Sequence, residues 1–300
     1  MCLGPLIRLA ALPAGLPATQ VLANLHATKR RLHGERSLRS RLRLGAVVSA
    51  YDFSAQRLFV RDDLAPDVEL APSAEASNYL LNVLRMREGA AIHLFNGRDG
   101  EFRATLANAS RRSARLRVGE RLRVQTERAD LDYCFAPLKQ ARLDYMAQKA
   151  TEMGAGRLLP VITRRTQVRR LNSGRLESNV IEAAEQCGVL AVPEVAAAVD
   201  LSEFLARWPA RRLLVFCDER AALANPLDAL EGRTAREGVS VLIGPEGGFD
   251  EAERAAVAGL PNVARLSLGP RVLRADTAAV AALAIVQAAI GDWRSRTDAV

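Results

Sequence analysis

From Asp130 onward, strand-like and helix-like stretches alternate, and this alternation constrains the fold more than any other feature of the chain. "DYCFAPL", "RLLPVIT", "AVPEV", "RLLVFCDE", "VSVLIGPEGG" and "VARLSLGP" read as strands, several of them continuous apolar runs. "QARLDYMAQKATEMG", "RLESNVIEAAEQCG", a stretch around 201–208, another near 250–259 and a long one from about Thr277 read as helices. Gly154 and Gly188 fall where a helix commonly hands over to a left-handed residue. Apolar strands separated by helices pack as a mostly parallel sheet covered on both faces, so the fold class is α/β.

A different pattern precedes it. "RLFV", "AAIHLFNG", "EFRATLANA", "SARLRVG" and "RLRVQTERA" are short alternating runs divided by turn residues, with one helical stretch over "SAEASNYLLNVLRMREG". They predict a small β-barrel or sandwich over residues 51–129, followed by the α/β domain over 130–300. Residues 1–50 lack periodicity and carry "KRRLHGERSLRSRLR"; they read as a basic, poorly ordered extension.

The formal charge of +8 points toward nucleic acid until its distribution is considered. Residues 1–50 hold eight Lys or Arg against Glu35, an excess of +7, which leaves +1 for the rest. Local clusters say more. Seven arginines lie between 103 and 123, and five between 164 and 175 with no acid among them. They form either a solvated face or a patch that follows phosphates.

Cys2, Cys134, Cys187 and Cys217 are scattered with no CxxC pair, as in a chain from a reducing cytoplasm. His26, His33 and His93 offer no zinc cluster, so no metal is expected. All three precede the α/β domain, which disfavours a nucleophilic triad there. No apolar run reaches membrane-spanning length.

Two Gly-Pro turns follow strands late in the chain: "VLIGPEGGFD" and "LSLGPRVLRADTA". Neither matches a dinucleotide fingerprint nor a phosphate-binding loop with its Lys-Ser or Lys-Thr. Two such loops can wall one pocket whose backbone groups read an adenine edge, with Leu242, Leu266, Leu268 and Leu273 as apolar contacts; core packing is the rival reading for Leu242, Leu266 and Leu268. Arg274 can anchor a phosphate or orient a carbonyl, or it can simply pair with Glu246 or Asp276. Asp276 or Thr277 is positioned to cap the last helix. Lys149–Glu152 and Glu182, Glu185 and Gln186 read as helix-surface residues.

The ordered blocks "QKATEMG", "EAAEQCG", "LIGPEGGF" and "LSLGPRVLRADTA", with "QRLFV" and "NYLLNVLRMREGAAIHLFNGRDGE" before them, resemble the RsmE family over about residues 56–293. The resemblance implies a PUA-like RNA-binding β-barrel followed by a SPOUT domain whose parallel sheet ends in a C-terminal trefoil knot. It implies S-adenosylmethionine as cofactor and N3 of a uridine in 16S ribosomal RNA of the small subunit as methyl acceptor. It also implies a homodimer. By the same likeness the cofactor is held by Leu242, Gly244, Pro245 and Gly247 of the first loop, and by Leu266, Leu268, Gly269, Arg271, Leu273 and Thr277 of the second. Arg85, Arg164, Arg165 and Arg169 contact RNA. The chain departs from the family's usual residues at Asn78, Ala90, Gln140, Ala141 and Val189.

Methylation of a uridine N3 requires loss of its proton and stabilisation of the charge that grows on O2 or O4. Arg274 is the candidate for the second role; for the first it is Glu246, with water as the rival acceptor. The rival readings are a knotted methyltransferase acting on transfer RNA or ribose 2′-OH, and a non-catalytic ribosomal RNA-binding assembly factor.

Overall fold

A computed structural model describes residues 55–109, 113–222 and 225–294. The extension expected over residues 1–50, with Cys2, His26 and His33, lies outside the described residues, as do Arg111 and Arg112.

Strands β1 (Arg57–Phe59), β2 (Glu69–Leu70), β3 (Ala91–Phe95), β4 (Glu101–Ala109) and β5 (Ala114–Arg123) form one sheet in the order β1-β3-β4-β5-β2. β1 runs parallel to β3; the other pairings are antiparallel. Alternation along β5 buries Ala114, Leu116 and Val118 and turns Arg115 and Arg117 outward. Helix α1 (Ala74–Asn78) starts where the Ser73 hydroxyl accepts the Ala76 N–H, then runs into a π-helical turn over Tyr79–Val83. That turn delivers Leu80 into the sheet's core beside Leu94, Leu106 and Leu116.

The two strands expected around Gly119 are one. β5 continues through the glycine because β4 offers a long partner, and the irregularities fall in their register at three places. Tertiary pairing outweighs the local breaker, and bulges absorb the bend.

The second sheet begins with β6 (Leu131–Phe135) and helix α2 (Gln140–Glu152), then β7 (Arg157–Ile162) and α3 (Ser173–Cys187). Two short strands, β8 (Glu194–Val195) and β9 (Val199–Asp200), and α4 (Leu201–Ala206) lead to β10 (Leu213–Cys217). The chain closes with β11 (Val239–Ile243), α5 (Glu251–Ala258), β12 (Val263–Leu266) and α6 (Ala275–Ala289). The strand order is β12-β10-β11-β6-β7-β8, with β9 also on β7, and every pairing is parallel. Gly154 (φ 81°) and Gly188 (φ 78°) end α2 and α3 in the left-handed conformation their sequence positions predict.

β11 is buried at all five positions because β10 and β6 flank it and helices cover both faces. Val239, Val241 and Ile243 join Met146 of α2 and Leu283 of α6 in one core. Leu242 points the other way, to Phe204 of α4 and Val257 of α5. Each such side chain contributes about 1.5–3 kcal/mol through burial.

Helix α6 starts two residues earlier than expected. Its N-cap is Arg274, whose side chain makes no capping bond, whereas the Asp276 carboxylate accepts the Thr277 N–H at 2.9 Å. Neither Asp276 nor Thr277 is therefore the cap.

Candidate active site

β10 separates β11 from β12, and all three are parallel, so the loops leaving Ile243 and Leu266 emerge at the same end of the sheet. Phe216 is in register with Leu242 and Cys217 with Leu266, which starts both loops at nearly one level. One intervening strand puts them roughly 10 Å apart, a span suited to a ligand held between two walls.

The first loop is shaped by its glycines. A Cβ on Gly244 would stand 2.6 Å from the Phe249 ring, so only glycine lets that ring fold back against the strand end. Phe249 is buried and meets Phe216 edge-on at 5.2 Å. Gly248 takes φ 67° and closes the turn by donating its N–H to the Pro245 carbonyl at 2.8 Å. Pro245 is buried; Glu246 and Gly247 are exposed at the rim.

The second loop is more open. Gly269 has φ 94° and no atom within 4 Å of where a Cβ would lie. Among the described residues, the backbone groups of Leu268 to Leu273 find no backbone partner. Leu268 and Leu273 are half-buried, Arg271, Arg274 and Thr277 are exposed, and Val272 is 96% exposed. Free backbone groups and open space beside two leucines fit an adenosyl group, whose base has a polar edge and apolar faces. Leu242 and Leu266 are wholly buried in the two cores, which leaves only their backbones for a ligand.

The arginines following β7 reach this end of the sheet. Arg165 Nη1 donates to the Gly247 carbonyl at 2.7 Å. Arg164 donates its backbone N–H to Glu253 at 2.7 Å and Nη1 to Asp250 at 2.8 Å. Asp250 and Glu253 also form a reciprocal capping box at the start of α5. The Glu253 N–H, and after it Arg164, hold the Asp250 carboxyl below its ordinary range. Arg169 is exposed beyond them, and exposed Arg85 follows the first sheet's helical insertion with φ 53°. Glu246 faces Arg142 at 3.4 Å, so the pairing with Arg274 that the sequence left open does not form; among the described residues Arg274 pairs with neither Glu246 nor Asp276.

Beneath the glycine loop lies a charge cluster that sequence reading missed. Asp218, completely buried after β10, accepts Arg254 and also Arg265, the latter at 2.6 Å. Arg254 further donates to Glu219 at 2.6 Å and to the Phe249 carbonyl at 3.4 Å. Glu219 Oε1 would stand 2.8 Å from a Cβ on Gly248. The available signal was an arginine on the same face of α5 as buried Val257. Desolvation pushes the Cys217 thiol at the end of β10 up to about 12, which keeps it protonated near neutral pH.

A cavity of about 570 Å³ opens at the opposite end of the sheet, around Asp132, Arg157, Trp208 and Arg212. Arg157 and Arg212 both pair with Asp132 there, while the buried Trp208 Nε1 finds no hydrogen-bond partner among the described residues. Among the described residues no group of three potential ligands could hold a metal ion, and no helix is long and apolar enough to cross a membrane.

An open strand-end cradle on a parallel sheet, joined to a sheet with outward arginines, is the build of an RNA-modifying transferase. Two family profiles agree with that class: an RNA methyltransferase domain matches residues 125–287, and an RNA methyltransferase PUA domain matches residues 72–119. The chain belongs to the ribosomal RNA small subunit methyltransferase E (RsmE) family of the SPOUT superfamily.

The enzyme of that name from Rickettsia conorii is 32% identical over 77% of this chain and 94% of its own. That from Bacillus subtilis is 28% identical over 77% and 95%. Among solved structures, a methyltransferase of Legionella pneumophila with bound SAM is 31% identical and covers 78% of this chain and 98% of its own, with a TM-score of 0.68. The Neisseria gonorrhoeae ribosomal RNA small subunit methyltransferase E bound to S-adenosylmethionine is 28% identical over 80% and 99%, with a TM-score of 0.69.

Proposed function

We propose that this protein transfers a methyl group from S-adenosylmethionine to N3 of a specific uridine in 16S ribosomal RNA of the small subunit. Family membership supports the reaction, and two similar structures carry the cofactor. The observation that carries the assignment within this chain is the meeting of the two Gly-Pro loops at one end of the sheet, one strand apart.

In this reading Gly244, Pro245 and Gly247, with the backbone of Leu242, form one wall of the cofactor site. Leu268, Gly269, Arg271, Leu273 and Thr277, with the backbone of Leu266, form the other. The bound cofactor supplies an already activated methyl group, so the protein's task is alignment and charge control. Arg274, exposed at the mouth of α6 and without an acidic partner, stabilises the charge developing on the uracil oxygens. Glu246, at the rim of the first loop, accepts the N3 proton; Arg142 lies close enough to orient it. Arg164 and Arg165 meet RNA phosphates beside the site, with Arg169 and the more remote Arg85 extending the track.

The assignment extends to architecture. Residues 51–129 act as the RNA-binding barrel and 130–300 as the methyltransferase domain, with 1–50 as an extension. The chain crosses from β11 over β10 to β12, then returns to lay α6 against α2 and β11. This path suits a trefoil knot. Tyr145 of α2 and Val272 are large exposed apolar side chains near α6, which suits a homodimer. In this reading the protein works in the cytoplasm.

Labelled S-adenosylmethionine and small subunits lacking the modification test the reading. Nucleoside analysis is expected to show 3-methyluridine. Label on ribose or in transfer RNA would replace the substrate assignment, and failure to bind the cofactor would leave an RNA-binding assembly factor.

A further inference from the structure

Arg57 of β1 reaches out of the first sheet to the end of α3. The side chain is almost wholly buried. Nε donates to Glu101 at 2.6 Å, Nη1 to the carbonyls of Ala184 and, at 3.1 Å, Glu185, and Nη2 to the carbonyl of Val189 at 3.1 Å. The guanidinium also lies over the Phe95 ring, 4.1 Å from its centroid. Glu101 has no exposed surface, and its second oxygen takes Arg123 Nε at 2.7 Å. Arg123 Nη2 continues to the Gly188 carbonyl at 2.9 Å. In return, Glu185 accepts the Phe59 N–H at 2.8 Å.

Two cations therefore meet four carbonyls at the C-terminal end of one helix, where the chain has left its own hydrogen-bond ladder and the helix dipole is negative. The buried Glu101 carboxylate holds both guanidiniums in place. Phe95, Ala184 and Leu190 seal the contact in a small apolar core. A joint of this kind has one geometry: the planar fork of arginine fixes both distance and angle. Beyond it, α3 packs on α2 and α2 on α6, whose first turn follows Arg274.

We propose that Arg57, Glu101 and Arg123 are positioning residues for methyl transfer, setting the distance between the first sheet and the strand-end cradle. The inference rests on the reading above, in which that sheet grips RNA. An RNA held at one domain and reacting at another is misaligned by any tilt at the joint, and an error of about 1 Å in a reacting pair costs on the order of 100-fold in rate. A contact serving stability alone would lower the melting temperature without altering turnover by the folded protein.

The test compares the full-length protein with Arg57→Lys, Arg123→Lys and Glu185→Ala. Arg57→Lys keeps the charge and loses the fork. Arg123→Lys cannot span Glu101 and Gly188 together. Glu185→Ala removes one acceptor from a half-buried helix position and retains the ion cluster, so it keeps the test open if the lysine variants do not fold. Calorimetry gives affinity for S-adenosylmethionine, and steady-state assays on unmethylated small subunits separate kcat from KM.

The expected result is cofactor affinity within about twofold of the parent and kcat lowered about tenfold or more in the lysine variants. Glu185→Ala is expected to show a smaller loss, about threefold, also in kcat. Small-angle scattering should show a broader distance distribution for the same folded variants. Folded variants with parental kcat would overturn the proposal, as would cofactor affinity falling in step with turnover. If the parent protein itself transfers no label, the functional reading fails, separately from this one.

Discussion

Arg165 Nη1 donates to the carbonyl oxygen of Gly247 at 2.7 Å, tying the arginine run after β7 to the rim of the glycine loop after β11. One side chain thereby serves two sites, bracing the loop while presenting positive charge to solvent. Arg165→Ala should weaken cofactor binding about threefold and RNA binding by a similar factor, since a single charge-assisted hydrogen bond is lost in each case. Arg169→Ala should weaken RNA binding alone and reduce its salt dependence. Calorimetry with S-adenosylmethionine and filter binding across a salt series distinguish the two variants.

Gly269 stands in open space at φ 94°, so an added methyl group meets no neighbour and the cost of Gly269→Ala is conformational. We expect a loss of about 1 kcal/mol, appearing as lower cofactor affinity or a lower denaturation midpoint as the loop relaxes. Gly244→Ala differs, because its Cβ would collide with the Phe249 ring and displace a core aromatic. That variant should lose both stability and cofactor binding in urea-melt and calorimetric assays.

Arg274 caps no amide and pairs with neither nearby acid, which leaves its guanidinium available to a substrate. Arg274→Ala should lower kcat about 100-fold and leave the dissociation constant of S-adenosylmethionine nearly unchanged. Arg274→Lys should recover only part of the loss, since a point charge does not reproduce the fork. Loss of cofactor affinity with little change in kcat would remove Arg274 from the chemical step.

Asp218 is fully buried between Arg254 and Arg265. Asp218→Asn leaves two guanidiniums facing a neutral group and should cost about 3 kcal/mol, read as a shift in the urea midpoint. Because Arg254 also reaches the Phe249 carbonyl, the glycine loop should become more susceptible to proteolysis.

Stability should fall in acid, with a calculable sign. Arg175 holds Asp144 below its ordinary value of 3.8, and the Leu64 N–H, followed by Asn96, does the same for Asp99. For carboxyls depressed by folding, the stabilisation is complete above 3.8 and is lost as pH falls through the folded values. Glu185 works in the opposite sense: burial raises it above 4.5, so its contribution is present below 4.5 and fades as pH rises through the folded value. Urea midpoints measured from pH 6 downward should decline most steeply below about pH 4, and Asp144→Asn should flatten that decline.

The joint between Arg57 and α3 and the cluster around Asp218 were both illegible in the sequence. Arg57 and Val189 are 132 residues apart, and Asp218 and Arg254 are 36 apart. No periodicity links such partners. Glu185 read as an ordinary helix-surface acid, yet it is half-buried against the Phe59 amide. The strand through Gly119 was misread for a related reason, since the length of β5 is dictated by its partner β4.

Local chemistry by itself determined the helices that stop at Gly154 and Gly188, the apolar strands between them and the two glycine-rich bends, because each depends on backbone preferences within a few neighbouring residues. Tertiary structure alone decided that β10 would lie between β11 and β12, bringing the two bends to one end of the sheet. It also decided which charges would be buried together. Strand order and ion pairing depend on how distant segments share a core, and nothing in the spacing along a single strand or helix records that outcome.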